Sequence, residues 1–231
     1  MEKRRFLITG GSQGIGTALV AAAREAGDEV VFTGRNQERI DRVAAETGAH
    51  GIRADVAVPE DNARTVAESR EALGGIDVLV NNAGFGYFAR IGELDLDGMK
   101  NQFDTNVFGL VDLTNRVVPE MIERQQGDIV NIASTSGLKG HPGGTAYSAS
   151  KWAVRGISQC WQAELRPHGI RVVCILPSEV QTAWGGKTGR NNPNKLFAPD
   201  IAQAILSSLA ADRRALWPEL AIFATNPWKE A

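Results

Sequence analysis

Cysteine is scarce in this chain. Of 231 residues only Cys160 and Cys174 carry a thiol, and neither belongs to a C-x-x-C pair or lies near a histidine cluster. That argues against a disulfide framework and a thiolate metal site, and both are expected to be small buried apolar residues in a reducing compartment. Long apolar runs are missing too: none approaches the ~18 to 20 residues that cross a bilayer. The basic start Met1–Arg5 leads into an apolar run that stops at Gly10, too short for a secretory core. Nor is there an excess of one charge, with 25 Lys and Arg against 27 Asp and Glu, a net charge of −2. Neither nucleic acid nor an anionic membrane surface therefore has an electrostatic claim on the protein. No internal repeat or low-complexity segment occurs. The expectation is a cytoplasmic protein forming one domain over residues 1–231, with enough apolar content (43%) for one sizeable core.

What is present is an alternation of strand-like and helix-like segments. Arg5–Thr9 reads as a strand running into Gly10, Gly11, Ser12, Gln13, Gly14, Ile15 and Gly16, followed by a helical pattern to Gly27. Strand, glycine loop and helix together make a phosphate-binding hypothesis. Gly14 and Gly16 let backbone approach a pyrophosphate, and the helix start offers unpaired N–H groups to the anion. The second strand, Glu29–Thr33, ends at Gly34 and Arg35. A carboxylate here would bind a ribose 2′-hydroxyl, whereas a guanidinium suits a 2′-phosphate. Arg35 thus favours NADP(H) over NAD(H); the alternative is a solvated surface arginine.

A helix over residues 36–47 and a third strand over 50–54 deliver Asp55 and Val56, placed to meet an adenine amino group and ring; a plain turn aspartate is the competing reading. Pro59 opens the next helix, with Ala63, Val66 and Ala67 expected inward. Strand 76–80 leads to Asn81, Asn82, Ala83 and Gly84, where Asn81 would tie neighbouring strands and the small residues leave room for a ribose. Residues 95–126 read as one long helix with Phe103, Val107 and Leu110 on its apolar stripe. Asn106 shares that stripe, as a structural knot or as part of a polar relay. Strand 128–133 delivers Ser134, strand 170–176 delivers Pro177, and a polar stretch at about 183–198 reads as a substrate loop. A helix from Pro199 and a strand over 219–224 complete the pattern. Such alternation predicts an α/β fold, a Rossmann-like doubly wound parallel sheet of about seven strands with helices on both faces. Ligands of such sheets bind beyond the strand carboxyl ends.

The stretch from Ser134 to Lys151 carries the chemistry. Tyr147 and Lys151 lie four apart in a helical segment, on one face. A phenol titrates near ~10, and a fixed cation about 4 Å away is worth roughly 4 kcal/mol at an effective dielectric of about 20. That predicts a phenol lowered by two or three units, helped by its place in the first helical turn. Ser134 could hydrogen-bond the same reacting oxygen.

Together these motifs resemble the short-chain dehydrogenase/reductase superfamily, in its single-domain branch. Thr9-Gly10-x-x-x-Gly14-Ile15-Gly16, Asp55-Val56, Asn81-Asn82-Ala83-Gly84, Asn106, Ser134, Tyr147-x-x-x-Lys151 and Pro177-x-x-x-x-Thr182 follow its pattern in order. The resemblance implies Tyr147 as general acid or base, Ser134 as holder of the substrate oxygen, and Lys151 as the cation that lowers the phenol and binds the nicotinamide ribose. It implies Asn106 as anchor of a water linking Lys151 to solvent. Gly10, Ser12, Gln13, Gly14, Ile15, Gly16, Arg35, Asp55, Val56, Asn82, Ala83, Gly84, Pro177, Val180 and Thr182 would line the cofactor, no metal is implied, and a homodimer or homotetramer is expected. Three departures stand out: Ser178 where the family has glycine, Gln13 where many NADP users have a basic residue, and an unusual ending from Trp217 to Trp228. The leading expectation is an NADP(H)-dependent carbonyl reductase, with a likeness to 3-oxoacyl-carrier-protein reductases. The competitors are an NAD-dependent secondary alcohol or hydroxy-acid dehydrogenase and a non-catalytic dinucleotide sensor. Phe85, Tyr87, Leu138, Lys139, His141 and Trp184 are pocket candidates by position.

Overall fold

Side chains that alternate along short buried strands decide the architecture. The computed structural model describes residues 3–182 and 192–226. Its strands are Arg5–Ile8 (β1), Glu29–Gly34 (β2), His50–Arg53 (β3), Val78–Asn81 (β4), Gly127–Ile132 (β5), Ile170–Pro177 (β6), Val180–Gln181 (β7), Leu196–Phe197 (β8) and Glu219–Ile222 (β9). Seven of them form one sheet in the order β3-β2-β1-β4-β5-β6-β9, with every neighbouring pair parallel; β7 and β8 form a separate parallel pair. Along β1, Phe6 and Ile8 enter one apolar cluster and Leu7 the other; Val30, Phe32 and Val31 of β2 divide the same way. Because successive strand residues point to opposite faces, both faces of the sheet must be covered.

The helices that cover them are Gly14–Glu25 (α1), Gln37–Thr47 (α2), Pro59–Leu73 (α3), Leu96–Phe103 (α4), Leu110–Arg124 (α5), Thr145–Leu165 (α6) and Ala198–Ala210 (α7). Leu19, Val20, Ile40, Val43, Ile201 and Ile205 place α1, α2 and α7 on one face; Val66, Leu113, Val117, Met121 and Leu165 place α3, α5 and α6 on the other. Strand order reverses between β1 and β4, so a crevice opens beyond their carboxyl ends. Several polar side chains of this interior are tied together. Asn81 of β4 donates to Asn131 of β5 at 2.9 Å and to Thr114 of α5 at 3.0 Å, and Asn131 donates to Ser158 of α6 at 2.9 Å. Asn81 therefore does tie neighbouring strands.

Three local expectations change. The helix expected over 95–126 is α4 and α5 joined by a π-helical stretch, Asp104–Gly109; Asp95 caps the start of α4, and α5 ends at Arg124. On α3, Ala63 and Ala67 are exposed, and Asn62, Thr65, Val66 and Ser69 face inward. The inward face is selected by Asn62, which donates to Val56 O at 2.9 Å and to Asp112 of α5 at 2.8 Å. Cys174 is buried as expected, but Cys160 is exposed, because α6 turns Ile157 and Trp161 toward the core instead. Of the substrate loop at 183–198, residues 183–191 and Trp184 with them lie outside the described residues, as does Trp228; Leu196 and Phe197 form β8 and Ala198 starts α7.

Candidate active site

The glycine loop is shaped by contacts that only a bare backbone permits. Gly14 has φ +58°, a left-handed conformation that side chains disfavour. A Cβ on Gly16 would fall 2.2 Å from Gly10 O, so α1 can approach the loop this closely only without one. Asn82 holds the loop from the neighbouring strand, donating from Nδ2 to Thr9 O at 2.9 Å and to Gly10 O at 3.1 Å. The Thr9 hydroxyl in turn accepts from Asn82 N and Ala83 N, both at 3.0 Å. The ends of β1 and β4 are thus laced together, which fixes the floor of the crevice.

One cleft gathers Gly10, Ser12, Gln13, Gly34, Arg35, Asp55, Val56, Ala83 and Gly84, together with Thr33, Ala54, Phe85 and Thr105. At its rim Arg35 pairs with Asp55 at 3.5 Å, with the arginine side chain 66% exposed. Asp55 also accepts from Ala57 N at 3.0 Å. Gln13 accepts a hydrogen bond from Arg39 on α2. Arg39 was not singled out from sequence, although it follows Arg35 by four residues, about one helical turn. Thr182 packs against the loop from above, 3.5 Å from a Cβ on Gly14, while Val180 lies in β7. Glycine loop, Arg35 and the bare-backbone approach at Gly14 and Gly16 together fit a dinucleotide phosphate.

The second half of the site is built by α6 and β5. Ser134 caps the short 3₁₀ turn Thr135–Gly137, accepting from Ser136 N at 3.1 Å, and its hydroxyl approaches Pro177 O at 3.5 Å. The Tyr147 phenol, half-buried in the first turn of α6, shares a hydrogen bond with Ser134. One turn on, buried Lys151 donates from Nζ to Ile132 O at 2.8 Å and stands 5.9 Å from the Tyr147 ring centroid. A Cβ on Gly84 would lie 3.0 Å from Asn106 Oδ1 and 3.6 Å from Lys151 Nζ, so these three residues converge.

Electrostatically the site departs from expectation. Burial pushes the Tyr147 phenol above its ordinary value, and the Ser134 hydrogen bond offsets only part of that. The predicted lowering by Lys151 is not seen, because the lysine is itself pulled down to about 8 by burial and directs its hydrogen bond at the Ile132 carbonyl.

Asn106 sits in the π-helical stretch, a feature that often marks functional sites. Its side chain donates to Phe85 O at 3.0 Å and to Ser150 Oγ at 3.1 Å and accepts from Phe85 N at 3.0 Å. Gln102, one turn earlier, donates to Phe85 O at 3.0 Å. Both therefore pin the loop after Gly84; neither Gln102 nor Ser150 carried a signal readable from sequence. Of the pocket candidates, Phe85 lines the cleft, Leu138 is half-buried against the core, and Lys139 and His141 are exposed.

Residues 4–193 match the family model described as short chain dehydrogenase. The chain belongs to the short-chain dehydrogenase family. An uncharacterized oxidoreductase of Staphylococcus saprophyticus is 35% identical over 215 residues, which is 90% of this chain and 92% of that protein. Among solved structures, a serine dehydrogenase complexed with NADP+ superposes with a TM-score of 0.89 at 29% identity, covering 94% of this chain and 93% of the other. An alcohol dehydrogenase from the archaeon Thermococcus sibiricus, complexed with 5-hydroxy-NADP, gives 0.90 at 26% identity over the full length of both. Like these relatives, this short-chain dehydrogenase is an oxidoreductase with a Rossmann-like nucleotide-binding fold, and among its described residues no helix is long and apolar enough to cross a membrane.

Proposed function

We propose that this oxidoreductase is an NADP(H)-dependent carbonyl reductase that makes secondary alcohols, with Tyr147 as its proton donor. The observation that carries the reading is the hydrogen-bonded Ser134–Tyr147 pair with buried Lys151 one turn behind it. Gly10, Ser12, Gln13, Gly14, Ile15 and Gly16 would hold the cofactor's phosphates, Asp55 and Val56 its adenine, Asn82, Ala83 and Gly84 its ribose side, and Pro177, Val180 and Thr182 its carboxamide side. When bound, the cofactor supplies a hydride to the carbonyl carbon.

The chain's own residues manage the proton. Ser134 and Tyr147 would each donate from a hydroxyl to the substrate's carbonyl oxygen. As negative charge develops on that oxygen, Tyr147 gives up its phenolic proton. Burial favours this direction, since a phenol held above its ordinary value keeps its proton until an alkoxide forms. The Lys151 ammonium then lies close to the phenolate and steadies it until a proton returns. Asn106 holds the loop at Phe85 so that Gly84 stays clear of Lys151, and a water beside it would connect the lysine to solvent.

For the cofactor, Gly34 and Arg35 replace a carboxylate at the end of β2, and Arg39 brings a second guanidinium to the same rim. Both support a 2′-phosphate, and the NADP-bound neighbours add weight. Titrating the protein with NADPH and NADH tests this: we expect NADPH to bind at least tenfold more tightly, and equal affinities would overturn the preference. The likeness to serine dehydrogenase supports a second substrate reading, a hydroxy acid, and acyl thioesters belong in the same cofactor-oxidation screen. Exposed Trp152 on α6 and Phe108 before α5 support a homodimer or homotetramer joined through these helices.

A further inference from the structure

Strand β2 ends in Gly34, at the place where a carboxylate would receive a ribose 2′-hydroxyl, and the packing around it explains the bare backbone. Gly34 is not one of the left-handed glycines, so its own conformation would accept a side chain. Space is what forbids one. A Cβ on Gly34 would collide with Ser12 Oγ, lie 2.8 Å from Ser12 Cβ and stand 3.2 Å from Ile40 Cγ1 of α2. Carbon atoms rest at about 3.5–4.0 Å from one another. Rotating the serine hydroxyl away would therefore clear only part of the space, because the Ser12 Cβ stays in it.

Both backbones are tied in place. Gly11 N donates to Thr33 O at 2.8 Å and Gly10 N to the Thr33 hydroxyl at 3.4 Å, which fastens the glycine loop to the end of β2 just before Ser12. The loop is held from α1 as well, where the Thr17 hydroxyl donates to Gly11 O at 2.9 Å. Gly11 lies so close to the strand that a Cβ there would fall 2.5 Å from Phe32 Cβ. On the other side, Gly34 O accepts from Ala54 N at 2.9 Å, and Gly34 pairs in register with Arg53 of β3. Ser12 is only 6% exposed, and Ser12, Gly34 and Arg35 line the same cleft. The serine is thus a buried wall of that cleft, set against the strand end from which a carboxylate would reach a ribose.

Resting on the NADP(H) reading, we propose that Ser12 is a specificity-determining residue that acts by exclusion, its side chain filling the space of any carboxylate at position 34. The preference for NADP(H) then belongs to the Ser12–Gly34 pair as well as to Arg35. With no carboxylate at the strand end, a 2′-hydroxyl finds no acceptor there and a 2′-phosphate meets no like charge. Turning the cleft toward NAD(H) takes two changes together: a carboxylate at position 34 and removal of the Ser12 side chain down to its Cα.

The test titrates the wild type, Gly34→Asp, Ser12→Gly/Gly34→Asp and Ser12→Ala/Gly34→Asp with NADPH and with NADH, and records each thermal midpoint without cofactor. Gly34→Asp alone is expected to lower the midpoint and to weaken NADPH binding at least tenfold, with no gain for NADH. Ser12→Gly/Gly34→Asp should regain midpoint over the single variant and bind NADH at least tenfold more tightly than it does, with NADPH still weak. Ser12→Ala/Gly34→Asp keeps the Cβ and should stay close to the single variant. A Gly34→Asp protein that gains tenfold in NADH affinity at an unchanged midpoint overturns the proposal. So does a Ser12→Gly/Gly34→Asp protein that binds NADH no more tightly than the single variant, or a Ser12→Ala pair that recovers as fully as the Ser12→Gly pair. Should Gly34→Asp fail to fold, recovery of a folded, NADH-binding protein in the Ser12→Gly pair supports the proposal, and its absence overturns it. Equal binding of NADPH and NADH by the wild type would end the NADP(H) preference, while the variants would still decide whether Ser12 excludes a carboxylate. A wild type that binds neither dinucleotide would sink both.

Discussion

At the amino ends of the strands, carboxylates and guanidiniums close on one another. Asp28, just before β2, takes Arg4 at 2.7 Å; Asp77, just before β4, takes Arg5 at 2.6 Å; Asp128 of β5 takes Arg171 at 2.6 Å and Arg213 at 2.9 Å. Arg171 and Arg213 go on to bond the carbonyls of Leu209, Ala211, Gly127 and Gly169. At the carboxyl ends the same sheet presents Gly10, Gly34, Asn82, Ser134 and Pro177, and the charge pair at the cofactor rim, Arg35–Asp55, is long and partly exposed. Charge at one end is spent on the fold. At the other it is left able to change partners. The difference teaches why one end can be ligand-competent: a guanidinium already held by a buried carboxylate and two carbonyls, as Arg171 is, has three of its five donors engaged and would have to break those bonds to turn to a phosphate.

Four experiments break or sharpen this contrast. Tyr147→Phe should lower kcat by about a hundred- to ten-thousandfold, the range of a lost proton donor, while cofactor titrations and thermal midpoint stay near those of the wild type. Retained turnover would end the proton-donor assignment. Asp128→Ala attacks the opposite end, leaving Arg171 buried without its carboxylate, and should cost about 3–5 kcal/mol in urea unfolding with kcat/KM preserved at low temperature. A loss of activity without loss of stability would show that the two ends are not separable.

A smaller effect is expected at the cofactor rim. Arg35→Ala should weaken NADPH binding by about tenfold to a hundredfold, as removal of a charge-assisted hydrogen bond does, and leave NADH unchanged; Arg39→Ala should do the same more weakly. An equal loss for both cofactors would assign the arginines to the fold instead. The mildest effect is on pH. Burial brings Lys151 from 10.5 to about 8 in the folded protein, so kcat/KM should decline above about pH 8 as the ammonium is lost, and Lys151→Arg should flatten that limb at a lower rate. The same residue binds more protons unfolded than folded between about 8 and 10.5, so its contribution to stability rises with pH across that window. Urea midpoints at both ends of the window, compared with Lys151→Met, check the sign.

Much of this was legible in the sequence, because periodicity and motif spacing report local constraints. The alternation of strands and helices, the glycine loop and the Tyr147–Lys151 spacing all follow from short-range pattern, and the sheet has the expected seven strands. What was not legible depends on partners far along the chain. Alanines 63 and 67 looked apolar enough to face inward, yet Asn62 wins that face through Val56 and Asp112. The Tyr147 phenol was expected low from one neighbour's charge, but desolvation depends on everything packed around it, and burial raises it. Cys160 failed for the same reason, since its exposure is set by which face α6 turns to the core. Arg39 differs: its spacing from Arg35 was in plain view, and only its contact with Gln13 gave it meaning.

The π-helical stretch at Asp104–Gly109 has a further consequence, for tolerance to change in chain length. A π turn holds one residue more than an α turn, so α4 and α5 are phased by that surplus. Deleting one residue there would restore regular winding and swing α4 about 100° around the common axis, carrying Gln102 away from Phe85 while α5 kept its grip on the core. Point substitutions along the stretch would leave this phase intact. The length of the segment, as much as its composition, is therefore under constraint, and a one-residue deletion should disarm the site while sparing the sheet.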